Sequence, residues 1–475
     1  MSNSDLRHPK ASSTGFPSAT GIRSATYQAA LNNFPILNFS VDIGQEGRTS
    51  KPPVTASMKQ AGQAQAHAGE GTVNVNVKME DGNSGSLIFK GLHTGPTFNL
   101  GTMAVGLQFG GVHEAAGVIA LNMASYVTRQ WYELLRSLAD VSGSIPERIT
   151  TIIDLIVADW KKEMDRRKDS PGKQSAQKIH EDNQTGMKIL KAILSASTDA
   201  TIEGLDEALM KKKGSLNKNF NVRLAGILVT AAGNFWATIQ TICSIFGFVY
   251  VPPGSGPASS QYGYLISYEK IWEDTTSLTV PTGSLQMNLG NVVVAPISHV
   301  AMVRGVQEAY KIPDDPKANI LYGESREALV RYPENPKGGR PMIIPLPDFI
   351  SFAQTPPENT GAVWGTTVSL ASPAKDGDWV KAEGTDFYNA VKQICSAICK
   401  QTYLDVALAD SSANVTVPLD LTLTCGKMVD VSAEGGGKLF RGLLRAVSHS
   451  LASEPPTATT SLVFSHVQAG NYTIQ

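Results

Sequence analysis

The sequence predicts an α+β protein in which two small antiparallel β-barrels are separated by an inserted helical region and a Pro-rich mixed β region. Three observations support this fold class. Apolar and polar residues alternate near both ends of the chain, apolar residues recur every three or four positions in the middle, and short apolar runs lie between proline-containing loops over 260–380.

At 475 residues, the chain is long enough for about three domains. Changes in periodicity divide it into five predicted segments. These are a flexible, polar N-terminal arm (1–26), a first barrel (27–114), a helical insertion (115–250), a mixed β and loop region (251–380), and a helix followed by a second barrel (381–475).

Strands with one buried face are predicted in both barrels, because their apolar residues fall on alternate positions. In the first barrel the clearest segments are ILNFSVDI (36–43), TVNVNVKM (72–79), LIFKGLH (87–93) and MAVGLQF (103–109). In the second barrel they are VTVPLDLTL (415–423), KMVDV (427–431), KLFRGLLRAV (438–447) and TSLVFSHV (460–467).

Helices are predicted where apolar residues follow the helical period. One begins near 115, and another places Ile149, Ile152, Ile153, Ile156, Val157 and Trp160 on one face. Amphipathic segments follow at 186–196 and 202–212. A helix near 224–246 is expected to end at Gly247 and lead into the strand FVYV, and a last helix is expected over TDFYNAVKQICSAICKQTYLD.

A short step of Phe, a basic residue, Gly and Leu occurs in both barrels. The candidate residues for barrel kinking and assembly are Phe89, Lys90, Gly91, Phe440, Arg441 and Gly442. Each step follows a strand and a Gly-rich turn, and each is followed by a strand that ends with Phe and soon a His, in LQFGGVH (107–113) and LVFSHV (462–467). The order of these features predicts a duplicated β module.

The glycine of the step has a physical interpretation. Gly within a strand permits a kink or a close approach of backbone, and Phe two positions earlier points to the same face and can fill the space that Gly leaves. The basic residue points the other way. It is either a solvated side chain or a contact to a neighbouring subunit or a lumen.

These segments resemble the baseplate hub family of bacteriophage tails and related contractile injection machines. The resemblance is carried by VTVPLDLTLTCGKMVDV, by Phe440-Arg441-Gly442 and by TATTSLVFSHV, and more loosely by 73–113. It implies two tail-tube-like barrels per chain and a homotrimer, whose six barrels form a ring between a hexameric tail tube and a threefold spike. The helical insertion and the Pro-rich region depart from the simplest hubs.

The same resemblance implies the partners and the location. The partners would be the tail tube protein, a spike or tail-tip protein, the tape-measure protein and passing DNA that is not bound specifically. The protein would be a structural component of the virion, in the phage tail baseplate, assembled in the host cytoplasm. The net charge of −1 gives no basic footprint for nucleic acid.

Motifs for catalysis, cofactor binding or metal binding are absent from the sequence: it contains no phosphate loop, nucleophile elbow, HExxH, CxxC or EF-hand pattern. We therefore predict no enzyme activity, no cofactor and no metal. Cys395 and Cys399 are one helical turn apart and are interpreted as buried residues rather than half of a metal site. Two alternatives remain, a cell-wall-degrading tail enzyme with its site in 260–380 and a membrane-associated protein that uses 224–251.

Overall fold

The computed structural model describes residues 10–14, 22–42, 75–80, 86–99, 104–111, 141–166, 184, 186–205, 221, 224–225, 228, 235–254, 262–281, 287–289, 297–302, 305–306, 325–326, 330–335, 340–344, 386–453 and 456–469.

Helices and strands are both present in the described residues, which confirms the predicted α+β class. The helices are α1 (Ile145–Arg166), α2 (Phe235–Phe246), α3 (Tyr268–Glu273) and α4 (Asp386–Val406), and residues 186–195 are also helical. The strands are β1 (Lys10–Thr14), β2 (Ile22–Ala30), β3 (Ile36–Asp42), β4 (Val75–Glu80), β5 (Ser86–Asn99), β6 (Ala104–Gly111), β7 (Phe248–Val251), β8 (Tyr264–Ser267), β9 (Thr275–Val280), β10 (Met287–Leu289), β11 (Ile297–Met302), β12 (Gly305–Val306), β13 (Ser325–Arg326), β14 (Val330–Tyr332), β15 (Arg340–Ile344), β16 (Ser412–Pro418), β17 (Met428–Ala433), β18 (Lys438–Ser453) and β19 (Pro456–Ala469).

Two groups of four strands have the same topology. In the first β unit (β3 to β6) the spatial order is β4-β5-β6-β3, and in the second β unit (β16 to β19) it is β17-β18-β19-β16. All pairs within each unit are antiparallel. In both units the last three strands form a meander, and the first strand returns beside the fourth, which is the arrangement of a Greek key.

The two β units are parts of one continuous sheet, because β2 pairs with β3 on one side and with β18 on the other. The sequence had predicted two separate small barrels. Among the described strands, the pairings form one open path from β1 to β10 that runs through both units, and the closure of each barrel stays a prediction. Backbone hydrogen bonds carry no sequence signature of their partner, so the alternation within β2 could not reveal that it pairs with both units.

The N-terminal segment also differs from its prediction. Residues 10–14 form β1, which pairs with β4, and β2 begins at Ile22, inside the segment that was expected to be a flexible arm. Ala25, Tyr27 and Ala29 of β2 are buried on one face. A strand whose backbone is paired on both sides and whose apolar face lies in a core is held in place despite its polar surroundings in the sequence.

The main core lies under the second β unit. It contains apolar side chains from β16, β17, β18 and β19, together with those of β2 and of the hairpin β7–β8. The predicted inward face is confirmed for Val415 and Val417 of β16, which are buried. The strand ends at Pro418 rather than at 423, and Leu419 and Leu421 are buried beyond its end. Strand β2, which lies between the two units in the sheet, therefore contributes to the core of the second unit.

The helical region begins with a capping box at α1. The backbone N of Ser144 donates to Glu147 Oε2 at 2.7 Å, and the Ser144 hydroxyl lies 3.0 Å from the same oxygen. Ile149, Ile152, Ile153 and Ile156 are fully buried, as the spacing predicts, whereas Val157 is half-buried. Helix α2 ends at Gly247, where φ is +68°, and β7 follows as expected. The predicted helices over 115–140 and 206–212 lie outside the described residues.

Among the described residues of the 251–380 region is a helix that the sequence did not predict. Within YGYLISYEKIW, β8 ends at Ser267 and α3 begins directly after it, because the Ser267 hydroxyl accepts a hydrogen bond from the backbone N of Lys270 at 3.2 Å. Gln401 of α4 fixes α3 by accepting from the backbone N of Glu269 at 3.1 Å. Lys400 pairs with the Glu269 carboxylate, so this nearly buried charge is neutralised.

Candidate assembly site

The Phe-basic-Gly steps occupy equivalent positions in β5 and β18. Each step lies opposite a Val-x-Val segment of the preceding strand. Phe89 pairs with Val77, Lys90 with Asn76 and Gly91 with Val75 in the first unit, and Phe440 pairs with Val431, Arg441 with Asp430 and Gly442 with Val429 in the second. The two steps are not close together in space, since β6, β3 and β2 lie between β5 and β18 in the sheet.

A β-bulge follows each step at the same distance. The register of β5 against β6 shifts between His93 and Gly95, and that of β18 against β19 shifts between Leu444 and Ala446. Phe109 lies opposite His93, and Phe464 lies opposite Leu444. The Phe residues that close LQF and LVF are therefore structurally equivalent, as their sequences suggest. A bulge at a repeated position is a built feature of a strand, because it sets where the strand bends.

The histidines that follow these Phe residues are not equivalent. His466 is two residues after Phe464, whereas the residue two positions after Phe109 is Gly111. His113 lies outside the described residues. The sequence match thus holds for the strands and the Phe residues but not for the His.

Phe440 is fully buried and packs edge to face against Phe464, with ring centroids 5.2 Å apart and an interplanar angle of 79°. Gly442 lies beside the same pair. A Cβ on Gly442 would be 3.3 Å from Phe464 Cβ and 3.4 Å from both the Ser465 carbonyl oxygen and Val467 Cγ2. Here glycine permits the close approach of β19, one of the two roles expected from the sequence.

The strand opposite Gly442 is irregular at His466. The register shifts between Arg441 and Leu443, and His466 has a φ of +55°, which non-glycine residues adopt at an energetic cost. Two contacts of the His466 imidazole stabilise this backbone conformation. His466 Nδ1 lies 2.9 Å from Ser465 Oγ, and Nε2 donates to the Asp405 carbonyl at the end of α4. Burial lowers the pKa of His466, so the neutral ring is favoured.

Arg441 makes contacts within its own chain. Its Nη2 donates to the Trp272 carbonyl oxygen at 2.9 Å and to Thr275 Oγ1 at 2.8 Å. Trp272 is at the end of α3 and Thr275 begins β9, which pairs in parallel with β17. The sequence offered a solvated side chain or a contact to a neighbouring subunit or a lumen, and these intrachain bonds are an addition that it did not predict. Arg441 thus fastens the α3–β9 segment to the second unit.

The junction of the two units is formed by β2 and β18. In the middle of this junction Tyr27 stacks on His449, with ring centroids 6.1 Å apart and planes 13° from parallel. On the opposite face, Thr26 Oγ1 and Ser450 Oγ are 3.1 Å apart. The Tyr27 hydroxyl donates to the Pro253 carbonyl, and burial raises the Tyr27 pKa. The junction is thus apolar and aromatic on its core face and hydroxyl-paired on the other.

Sequence reasoning missed this junction. The signal was present, since Ala25, Tyr27 and Ala29 alternate with Thr26 and Gln28 in the manner of a half-buried strand. Alanine and tyrosine are weaker markers of burial than the Val and Ile of the other strands, and the segment lies across the predicted border at residue 26.

Sites of other kinds are not found in the described part of the chain. These residues contain no group of three or more His, Cys, Asp or Glu side chains that could hold a metal ion. Cys243, Cys399 and Cys425 are buried. Burial raises the pKa of Cys243 and of Cys425 to about 12. Every described helix is too short or too polar to cross a lipid bilayer.

Comparisons with known proteins give structural matches only. No protein-family model and no curated protein sequence matches the chain. The tail protein from Neisseria meningitidis MC58 is 10% identical, with a TM-score of 0.46 and 97% of each chain covered. The 43 kDa tail protein of prophage MuSo2 from Shewanella oneidensis is 8% identical, with a TM-score of 0.42, and the match covers 96% of this chain and 97% of that one.

A third match is a secretion component. The E. coli c3393 protein, described as a component of the type VI secretion system with structural similarity to T4 bacteriophage tail proteins gp27 and gp5, is 8% identical with a TM-score of 0.33. That match covers 96% of this chain and 76% of the other. Tail and baseplate-type proteins are also the class that the sequence resembles.

Proposed function

We propose that this chain is a structural hub protein of a phage tail baseplate, and that three copies form a ring of six similar β units. The observation that carries the proposal is the equivalence of the two units. They share strand order, the pairing of the Phe-basic-Gly step, and the position of the bulge that follows it. A duplicated unit of this kind allows a trimer to offer six matching contacts to a hexameric neighbour.

The contact between the two units also supports a ring. Strand β2 extends the first unit beyond β3 and pairs with β18 of the second, so different surfaces of two similar units are joined. Such a head-to-tail contact is heterologous. Repeated copies of it form a closed ring when a whole number of the rotations that relate neighbouring units adds up to 360°. Six units from three chains would close in this way, with each unit forming a curved, tail-tube-like β-barrel wall.

The proposed partners follow from that position in the particle. The ring would contact the tail tube protein on its sixfold side and a spike or tail-tip protein on its threefold side, and its channel would admit the tape-measure protein and DNA. The net charge of −1 supports a channel that does not bind DNA, because phosphate binding depends on clustered Lys and Arg. A structural rather than enzymatic role in the virion is part of this proposal.

The Phe-basic-Gly steps are assigned a role in unit shape. Phe440 fills the core, Gly442 admits β19 at close range, and Arg441 fastens the α3–β9 segment. Phe89, Lys90 and Gly91 have the same register in the first unit and are proposed to shape it similarly. The steps would thus support assembly indirectly, by giving both units the same curvature.

The mass of the purified chain in solution, together with electron microscopy of the same sample, tests this function. A trimer that appears as a ring with approximate sixfold symmetry supports it. A particle with an open centre and helices 145–166 and 235–246 on its outer side would agree further, since helices in the lumen would block the channel. A chain that remains monomeric at every concentration, or that clears a suspension of bacterial cell walls, would contradict it.

A further inference from the structure

One face of the shared sheet carries no charged side chain over five neighbouring strands. The strands are β16, β19, β18, β2 and β3, and each directs alternate residues away from the main core. Residues directly opposite one another in the register form rows across these strands. One such row is Thr416, Ser461, Ser448, Gln28 and Ile36. It consists of hydroxyl, amide and apolar side chains.

The rows on either side have the same chemistry. The next one along the strands is Pro418, Thr459, Ser450, Thr26 and Asn38. We call these outward positions the uncharged face, which extends from the row of Ala446 and Val463 to the row of Ser24 and Ser40. It has no Lys, Arg, Asp or Glu, although 17% of the residues of the chain are charged.

The uncharged face is accessible to solvent. Val463, on β19 between β16 and β18, is 42% exposed. Asn414 on β16, Gln28 on β2 and Asn38 on β3 are also exposed. Because exposed side chains occur on four of the five strands, the lack of charge is not explained by burial of the face under another part of the chain.

Charges are present elsewhere on the described surface. Around α3, Lys270 Nζ lies 3.1 Å from Asp274 Oδ1, and both side chains are at least one-third exposed. Along the strands themselves, charged residues return at the ends of the uncharged face, as Arg445 on β18 and Asp42 on β3. Surfaces of soluble proteins normally carry interspersed charges of both signs, so a sheet face without any is a specific feature.

Hydroxyl groups of the uncharged face bond to one another between strands. Ser24 Oγ and Ser40 Oγ are 2.6 Å apart, and Thr26 Oγ1 and Ser450 Oγ are 3.1 Å apart. These pairs join β2 to the strands on both of its sides. Since each pair uses hydrogen-bonding capacity within the sheet, less of it is available to a molecule that contacts the face.

The opposite face of the sheet is covered. The hairpin β7–β8, which follows directly from α2, packs against it, and Ile271 of α3 belongs to the same core. A ring that has its helices on the outer side therefore has this core face directed outward. The uncharged face is then directed toward the channel.

From these observations we infer that DNA passes this protein along the uncharged face, which neither attracts nor repels it. The inference rests on the proposed ring and specifies the chemistry of the channel wall. Binding of duplex DNA depends on Lys and Arg that neutralise phosphates, whereas Asp and Glu repel them. A wall without either sign keeps the electrostatic energy of the duplex nearly constant as it moves.

Thiol labelling of the assembled full-length chain tests the position of the face. Val463→Cys places a thiol on the uncharged face, and Gln240→Cys places the matched control on the exposed side of α2. Each variant is treated with a small maleimide and with a maleimide attached to a globular protein wider than the ring opening. We expect the small reagent to label both variants and the large one to label only Gln240→Cys. The unsubstituted chain gives the background from native cysteines.

A charge added to the face tests its chemistry. Ser448→Lys places one lysine per chain on the uncharged face, so a ring of three chains holds three lysines around the channel. We expect this variant to retain a short linear duplex at low salt, with a slope of log K against log salt of up to about −2.7. The parent and the control Gln240→Lys should retain little, because the lysines of the control do not converge on one duplex.

The outcomes separate this inference from the proposed function. A ring in which the large reagent labels Val463→Cys would overturn the inward position of the face and leave the ring standing. A parent ring that retains the duplex as strongly as Ser448→Lys, or a Ser448→Lys ring that gains no more than Gln240→Lys, would overturn the uncharged channel wall. A chain that stays monomeric and takes the large reagent at both positions would contradict both proposals.

Discussion

The two β units have the same strand order but are stabilised from different sides. The outer strand on β4 is β1, which is antiparallel to it, whereas the outer strand on β17 is β9, which is parallel. The second unit also pairs with the linking strand β2, whose Tyr27 lies in its core. One protein module can thus keep its internal pairing while its edges take different partners.

This difference shows which features belong to the module and which to its position. Features common to both units are the Val-x-Val pairing of the Phe-basic-Gly step, the bulge after it, and the Phe of the fourth strand. The second unit alone has His466 in a left-handed conformation opposite Gly442. The features that both units share set the shape of a unit, and the features found in one unit attach that unit to the neighbouring parts of the chain.

The largest expected effect comes from the aromatic residue of the step. Phe440→Ala removes a fully buried ring from the contact with Phe464 and should lower the free energy of unfolding by about 3–5 kcal/mol. Phe89→Ala, at the equivalent position, should destabilise the chain in the same direction if the first unit is built alike. Thermal unfolding of both variants, followed by calorimetry, measures this. If Phe440→Ala lowers the free energy of unfolding and Phe89→Ala does not, the two units are equivalent in their backbone pairing but not in their side-chain packing.

A smaller effect is expected from the glycine. Gly442→Val forces methyl groups against Phe464 and Val467, and overpacking of this kind costs about 1–3 kcal/mol. We expect it to lower the trimer fraction in sedimentation more than the helix signal in circular dichroism. Gly437→Val is the matched control, because no atom lies within 4 Å of a Cβ built there. Equal loss of trimer and of helix would show that Gly442 supports folding in general rather than the shape of the unit.

The same substitution in the first unit sharpens the comparison. Gly91 pairs with Val75 as Gly442 pairs with Val429, so Gly91→Val should also lower the trimer fraction. The register opposite Gly91 continues without the shift seen opposite Gly442. An intact trimer in Gly91→Val would show that the glycine requirement comes from the irregular strand at His466 and not from the module.

The smallest effect is a pH dependence that belongs to the second unit. The folded chain holds the pKa of His466 below its unfolded value of about 6.5, mainly through burial, so the unfolded state binds the proton first as the pH falls. The stability due to neutral His466 is therefore present above about pH 6.5 and is lost as the pH falls through the folded pKa. Asp405 and Arg445 act on the ring in opposite directions and more weakly than burial.

His466→Asn provides the measurement. Asparagine tolerates a positive φ but does not titrate in this range. Thermal midpoints of the parent and the variant should diverge as the pH is lowered from about 8 to about 5, with the parent falling faster. Parallel curves would mean that other groups account for the acid sensitivity. The remaining histidines are present in both proteins and cancel in the difference.

Much of the fold could be predicted from local patterns. Strict alternation in VTVPLDLTL located β16 and its buried face, and the spacing of four isoleucines located the inner face of α1. The Phe-basic-Gly step led to two strands whose registers are equivalent. These predictions succeeded because they depend on contacts within one strand or one helix, whose period is recorded in the sequence itself.

Other features could not be predicted in this way. Strand pairing between β2 and β18 joins residues more than 400 positions apart, as in the contact of Thr26 with Ser450. Arg441 could not be assigned its acceptors, because the Trp272 carbonyl becomes available only where α3 ends. The short helix α3 was missed because one serine cap decides its start within an otherwise strand-like apolar run.

The sequence by itself determined that this protein carries one β module twice, since the alternation, the turn chemistry and the Phe-basic-Gly step are all local. Only the tertiary structure decided that the two copies share a sheet and that β2 completes the core of the second. The physical reason is that side-chain periodicity selects the buried face of a strand, whereas backbone hydrogen bonds are chemically the same at every residue and select no partner until the whole chain has folded.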